Sequence, residues 1–143
     1  MTDPSAELLQ TILVVEDEVL IRFQIAAYLR DCGFRVIEAA NAGEAVLVLK
    51  DPDLAVNIVL SDVEMPGEMD GFALAHWIRK ERPGLPVILA GSPARAADAA
   101  ADLCESGPTL AKPYEPQILL DRIKSALAEA MRAAKATLKG EAD

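Results

Sequence analysis

Cysteine is scarce in this chain of 143 residues, which contains only Cys32 and Cys104. The spacing of the two thiols fits neither a metal site nor a disulfide framework, so we expect free thiols in a reducing compartment. No apolar run approaches the roughly 20 residues that are needed to cross a bilayer, and the first ten residues lack a secretory pattern. These absences predict a soluble, cytoplasmic protein.

Positive charge is also limited, because 14 lysine and arginine residues stand against 23 acidic ones and leave a formal net charge of −9. Such a chain repels nucleic acid unless a basic patch is segregated, and the sequence contains no basic run. We therefore expect protein partners and no nucleic-acid partner.

The length suits a single domain, and the hydrophobic fraction of 52% is enough for a core. We place this domain at residues 10–130, between an N-terminal extension at 1–9 and a helical extension with a tail at 131–143. Dimerisation, partner contact and a simple solvated extension all remain open for that last segment.

Five apolar runs alternate with five helical patterns along the chain. The runs cover residues 11–15, 34–38, 56–61, 86–90 and 109–112, and the helical patterns end near 31, 50, 82, 105 and in the 130s. Near-continuous apolar strands that alternate with helices are typical of a parallel sheet with helices on both faces. The sequence therefore predicts an α/β fold.

Charged residues stand at the ends of three of these predicted strands. Glu16 and Asp17 follow the first strand, Asp62 follows the third, and Lys112 ends the fifth. The carboxyl ends of parallel strands meet at one edge, where ligands bind. Several carboxylates there would repel one another unless a cation shared them, and hard oxygen ligands suit magnesium. The alternative is that these acids are solvated loop residues or helix caps.

Three motifs carry a family resemblance: Ile12-Leu-Val-Val-Glu-Asp-Glu18, the segment from Val59 to Gly71, and Ala111-Lys-Pro-Tyr114. In this order and at this spacing they resemble the receiver domains of bacterial response regulators. The resemblance implies a flavodoxin-like (βα)5 fold, a three-layer sandwich around a five-stranded parallel sheet of order 2-1-3-4-5. It also implies a single-domain regulator in two-component phosphorelay signalling, which acts through contact with an unknown downstream protein.

The same resemblance assigns roles to individual residues. Asp62 would accept the phosphoryl group, and Lys112 would pair with the phosphoryl oxygens. Asp17 and Asp62 would bind Mg2+ directly, the backbone carbonyl of Glu64 would complete the protein ligands, and Glu16 would act through water. The donor would be a phosphohistidine of a sensor histidine kinase or histidine phosphotransfer protein. The chain would be no enzyme beyond its own magnesium-dependent phosphorylation and slow autodephosphorylation.

Two positions depart from the family pattern, and a residue next to one of them offers a replacement hydroxyl. Gly91 stands where the family carries a Thr or Ser that follows the phosphoryl group, and the neighbouring Ser92 is a possible substitute. Thr109 stands where the family usually carries a Tyr or Phe that turns inward on activation. Three functions therefore remain open: a conventional regulator, a phosphate shuttle or sink without a conventional switch, and an adaptor that works without phosphorylation.

The first predicted helix is apolar almost all round. Ile21 and Ile25 belong to a stripe that we expect to face the core, and Val19, Phe23 and Ala26 form a second stripe nearly opposite. An exposed apolar stripe usually marks a partner site. We therefore predict that this second stripe is the docking surface for the phosphodonor protein.

Overall fold

The computed structural model describes residues 9–65, 67, 69–91, 109–111 and 116–142. The strands within these ranges are β1 (Thr11–Val15), β2 (Arg35–Ala39), β3 (Ile58–Asp62), β4 (Val87–Gly91) and β5 (Thr109–Ala111). The helices within them are α1 (Val19–Asp31), α2 (Ala42–Lys50), α3 (Gly71–Glu81) and α4 (Pro116–Ala142). The helix that the sequence predicts over residues 93–105 lies outside the described residues.

The strands form one sheet in the order β2-β1-β3-β4-β5, and every neighbouring pair is parallel. Four of the strands have five residues each, whereas β5 at the edge has three. The predicted α/β class and parallel sheet are confirmed. The chain order reverses at β1, which lies between β2 and β3, so the crevice at that reversal is where such sheets bind ligands.

The edge strand β2 is partly exposed, whereas β1 and β3 bury both of their faces, as their continuous apolar runs require. One face packs against α1 and α4, with a core of Ile12, Val14, Leu29, Ile58, Leu60, Ile88, Ala90, Leu119, Ile123, Ala126 and Leu127. The other packs against α2 and α3, with a core of Leu13, Val15, Ala39, Ala42, Ala45, Leu49, Val56, Val59, Leu74 and Ile78. Neighbouring residues of β1 alternate between these cores because side chains alternate across a strand. The sheet is therefore the middle of three layers.

Helix α1 packs on the sheet through the predicted stripe, with Ile25 against the core, but its buried face also includes Ala26. Ala26 and Leu29 are fully buried, whereas Val19 and Phe23 are each 64% exposed. The assignment of Ala26 to an exposed stripe was therefore wrong. A helix that is apolar all round gives no periodic signal for its buried face, and the small Ala26 side chain allows the helix to approach the sheet closely.

Helix α4 begins at Pro116 and continues for 27 residues to Ala142, a length of about 40 Å. Its first half contributes Leu119, Ile123 and Leu127 to the core. Residues 131–135 are exposed, so the helix continues past the packed part of the domain. Among the described residues, no helix combines the length and the apolar character that a membrane crossing requires.

Candidate functional site

The carboxyl end of β1 carries the first acidic residues to the reversal point of the sheet. The main-chain amide of Glu16 donates to the Ala39 carbonyl at 3.0 Å, which extends the pairing of β1 with β2 by one residue. This bond holds Glu16 in place although the strand has ended, and the residue is only 3% exposed. Asp17 follows at the surface and is partly buried.

Glu16, Asp17 and Asp62 come together at this edge. Each offers a carboxylate oxygen, and the three oxygens lie within 4.8 Å of one another. Ligand oxygens around one Mg2+ lie roughly 3 to 4 Å apart, since each is about 2.1 Å from the ion. Three hard oxygen donors at this separation therefore fit one magnesium ion, with small side-chain adjustments or a bridging water.

Asp62 is the last residue of β3 and pairs with Ala90 in β4. The sequence predicted that the strand would end at Ser61, so the candidate phosphoacceptor belongs to the strand itself. The Ser61 hydroxyl, fully buried, donates to the main-chain carbonyl of Asp62 at 3.0 Å, and the Glu64 amide donates to Asp62 Oδ1 at 3.3 Å. The sheet and the Ser61 bond hold the main chain of Asp62, and the Glu64 amide orients its carboxylate.

A depression opens beside the acidic residues. Its lining combines the site carboxylates with core side chains of the sheet and α1: Val14, Val15, Glu16, Ile25, Leu60, Ser61, Asp62 and Ala90. Apolar walls strengthen the repulsion between neighbouring carboxylates, because they replace water of high dielectric constant. The site therefore gains from any cation that the carboxylates can share.

Gly71, the first residue of α3, packs directly against the main chain of Asp62 and Val63. Its amide donates to the Val63 carbonyl at 2.9 Å. A Cβ atom added at Gly71 would overlap the carbonyl oxygen of Asp62 and would lie 2.7 Å from Cα of Val63. Asp70 caps the same helix by accepting from the Ala73 amide at 2.9 Å. No role for Gly71 follows from the sequence alone, because its contact with the Asp62 main chain forms only when α3 packs beside β3.

Arg22 of α1 also contacts the site, although it is not among the residues that the sequence predicted there. Its Nη1 donates to the main-chain carbonyl of Glu16 at 2.8 Å, and its Nε lies 3.4 Å from a carboxylate oxygen of Glu38 in β2. The Arg22 side chain is only 17% exposed. No sequence signal distinguished it from an ordinary surface arginine, because its partners are a backbone carbonyl and a residue 16 positions away.

The remaining predicted residues are placed only in part. Gly91 ends β4 and pairs with Ala111, and Thr109 begins β5 opposite Leu89. The predicted phosphoryl partner Lys112 and the possible hydroxyl substitute Ser92 lie outside the described residues. The sheet therefore brings the three carboxylates together, whereas the predicted roles of Lys112 and Ser92 remain predictions.

A family model, the response regulator receiver domain, matches residues 12–124. Among curated proteins, the transcriptional regulatory protein GltR of Pseudomonas aeruginosa is 34% identical over 125 residues, which cover 85% of this chain and 50% of GltR. The sensor kinase CckA of Brucella abortus is 41% identical over 78 residues, which cover 54% of this chain and 8% of the kinase. The chain thus spans about half or less of the length of these two relatives.

Solved structures agree with this match. A CheY-like response regulator receiver domain protein from Methanospirillum hungatei superposes with a TM-score of 0.76 at 28% identity. That similarity covers 87% of this chain and 98% of the solved one. NtrX from Brucella abortus superposes with a TM-score of 0.79 at 29% identity, over 89% of this chain and 29% of NtrX.

Proposed function

Because the chain belongs to the response regulator receiver domain family of two-component signalling, we propose that Asp62 accepts a phosphoryl group from a phosphohistidine in a magnesium-dependent reaction. The observation that carries the proposal is the convergence of the Glu16, Asp17 and Asp62 carboxylates within 4.8 Å. The cluster lies at the reversal point of a parallel sheet, where such sheets generally bind ligands. The family match supports a ligand site at the same edge. The chain is otherwise proposed to have no enzymatic activity.

The transfer requires little covalent work from the protein. An oxygen of the Asp62 carboxylate attacks phosphorus, so that a P–O bond forms while the bond between phosphorus and the donor imidazole nitrogen breaks. The leaving nitrogen keeps the electron pair, and Asp62 becomes an acyl phosphate. The Glu64 amide donates to the attacking carboxylate and orients it, while the buried Ser61 hydroxyl holds the main chain of Asp62.

The proposed ion would be held by Asp17 and Asp62, with the backbone carbonyl of Glu64 as a third protein ligand and Glu16 acting through water. A bound Mg2+ supplies positive charge beside the phosphoryl oxygens, where negative charge accumulates during transfer. Lys112 follows the last residue of β5 in sequence, and we propose that its ammonium group pairs with the same oxygens. The chain is proposed to work in the cytoplasm, where the exposed Cys32 thiol stays free.

The phosphodonor is proposed to be a sensor histidine kinase or a histidine phosphotransfer protein that docks on α1. Val19, Leu20 and Phe23 are 64%, 76% and 64% exposed, and they begin two residues after Asp17. Three large apolar side chains exposed together form a contact surface beside the reacting carboxylate. Leu20 belongs to this surface, although it is not part of the predicted stripe.

A second function, a phosphate shuttle or sink, is favoured by Gly91. This residue ends β4 and pairs with Ala111, and it has no hydroxyl to follow a phosphoryl group. Spectra recorded with and without magnesium and beryllofluoride, a phosphoryl mimic, distinguish the two functions. Changes that reach β5 and α4 favour a regulator that acts through protein contacts, whereas changes confined to the acidic edge favour a sink.

The nucleophile is tested with Asp62→Asn and acetyl phosphate, a small donor that needs no docking surface. We expect the variant to keep its fold and to take up no phosphate, because an amide cannot replace the attacking carboxylate. Phosphate incorporation is followed by intact-protein mass measurement with and without magnesium. Uptake by the variant at the wild-type rate would show that another residue is the acceptor.

A further inference from the structure

Arg22 joins three pieces of the structure at the edge of the acidic site. It lies on α1, its Nη1 donates to the Glu16 carbonyl at 2.8 Å, and its Nε pairs with Glu38 of β2 at 3.4 Å. The Glu16 carbonyl belongs to the peptide group that leads directly into Asp17. A guanidinium group with donors in a fixed planar arrangement can hold both partners at once.

We propose that Arg22 is a positioning residue for the metal site, an inference that rests on the proposed function. By holding the Glu16 carbonyl, Arg22 fixes the orientation of the peptide group between Glu16 and Asp17. That orientation determines where the Asp17 carboxylate points relative to Asp62. Glu38 in turn holds the guanidinium through an ion pair. Water screens this pair only in part, because the Arg22 side chain is only 17% exposed.

The charge of Arg22 has a separate effect on the metal-free site, and because one cation repels another it opposes the gain from positioning. The three site carboxylates lie within 4.8 Å of one another and repel. A cation tied to the Glu16 main chain offsets part of this repulsion without occupying the space among the carboxylate oxygens. Groups that orient metal ligands from outside the coordination shell usually change metal affinity by about 10- to 100-fold when they are removed.

Arg30 provides a matched control on the same helix. Its Nη2 lies 3.3 Å from the other carboxylate oxygen of Glu38 and donates to the Val36 carbonyl at 3.0 Å. It therefore shares the acidic partner of Arg22, but it lies eight residues and about 12 Å further along the helix. Its main-chain contact is with β2, away from the peptide group before Asp17.

The experiment compares magnesium binding by wild type, Arg22→Gln and Arg30→Gln, measured by calorimetric titration of the full chain with magnesium chloride. We expect Arg22→Gln to bind magnesium about tenfold more weakly, and Arg30→Gln to stay within about twofold of wild type. Arg22→Lys should recover part of the loss, because an ammonium group can still donate to the Glu16 carbonyl. Equal affinities in wild type and Arg22→Gln, or equal losses in both glutamine variants, overturn the inference.

Phosphorylation by acetyl phosphate gives the second readout. Loss of positioning should raise the magnesium concentration that gives half-maximal rate, while the rate at saturating magnesium stays near wild type. A lower saturated rate with unchanged magnesium dependence contradicts the inference. If Arg22→Gln does not fold, Glu38→Gln is used instead, since it removes the ion pair that holds the guanidinium on the Glu16 carbonyl. Unchanged magnesium affinity in Glu38→Gln then overturns the inference.

These outcomes are separable from failure of the proposed function. If wild type itself binds no magnesium and takes up no phosphate, the proposed function is wrong. If wild type does both and only the comparison of the arginine variants fails, Arg22 alone has been misassigned.

Discussion

Replacement of Gly71 by alanine tests how tightly α3 is joined to the candidate phosphoacceptor. The added Cβ would overlap the Asp62 carbonyl oxygen and would lie 2.7 Å from Cα of Val63 and 3.0 Å from the carbonyl carbon of Asp62. Ordinary contacts between carbon atoms are about 3.5–4.0 Å. All three neighbours are main-chain atoms, so no side-chain rotation can relieve the overlap, and the start of α3 must move away from β3.

Two opposing terms determine the change in stability. Overpacking typically costs about 1–3 kcal/mol, and an overlap with main-chain atoms belongs near the upper end of that range. Alanine is favoured over glycine in a helix by up to about 1 kcal/mol. We therefore expect Gly71→Ala to lower the free energy of unfolding by about 2 kcal/mol. With a urea dependence of about 2 kcal/mol per molar, the midpoint falls by about 1 M.

Gly43→Ala is the matched control, because Gly43 is the second residue of α2. A Cβ at Gly43 would lie 3.3 Å from Oδ1 of Asn41, a side-chain atom at the helix cap that can shift slightly. We expect its free energy of unfolding to stay within about 1 kcal/mol of wild type. A small gain is the expected direction, because alanine has a higher helix propensity than glycine.

The assay is urea unfolding of both variants, followed by circular dichroism, together with phosphate uptake from acetyl phosphate. Gly71→Ala should also lose phosphate uptake, because the displaced helix shifts the main chain of Asp62. An unchanged midpoint for Gly71→Ala, or an equal fall in both glycine variants, would refute the reasoning.

Two further predictions concern the metal and the partner. Asp17→Ala should abolish magnesium binding in a calorimetric titration, and retained binding would contradict the ligand set. The stability of the metal-free variant should be unchanged or higher by about 1 kcal/mol, because the substitution removes one of three clustered carboxylates. Phe23→Ala should cost little stability, since Phe23 is 64% exposed, but it should slow transfer from a phosphohistidine protein by about tenfold. Transfer from acetyl phosphate should be unchanged, and Leu47→Ala, a similarly exposed residue of α2, should affect neither reaction. Loss of both reactions in Phe23→Ala would place the effect in the fold instead of the docking surface.

Local patterns were sufficient for most of the architecture. The apolar runs at 11–15 and 86–90 predicted strands because both faces of a central parallel strand are covered. The start of α2 also has a local cause, because Asn41 is a residue type that caps helices and its side chain accepts from the Glu44 amide at 2.8 Å. The family resemblance, carried by the motifs around Glu16, Asp62 and Lys112, is confirmed by the family match over residues 12–124.

The position of Ala26 shows where local patterns failed. Helix α1 is apolar on nearly every side, so its sequence favours no single buried face. The packing of the helix against the sheet determined that Ala26 and Leu29 are buried while Val19 and Phe23 remain exposed. The sequence was therefore sufficient to place Val19 and Phe23 on an exposed face of this helix, but not to exclude Ala26 from it.

The sequence by itself determined the order of strands and helices and the acidic residues at the strand ends. These features are local, because they depend on the period of apolar residues and on residues that end a strand. Only the tertiary structure decided that Gly71 packs on the main chain of Asp62 and that Arg22 holds the Glu16 carbonyl. Both contacts join segments through backbone atoms, which carry no residue-specific signal, so they appear only when the helices are packed on the sheet.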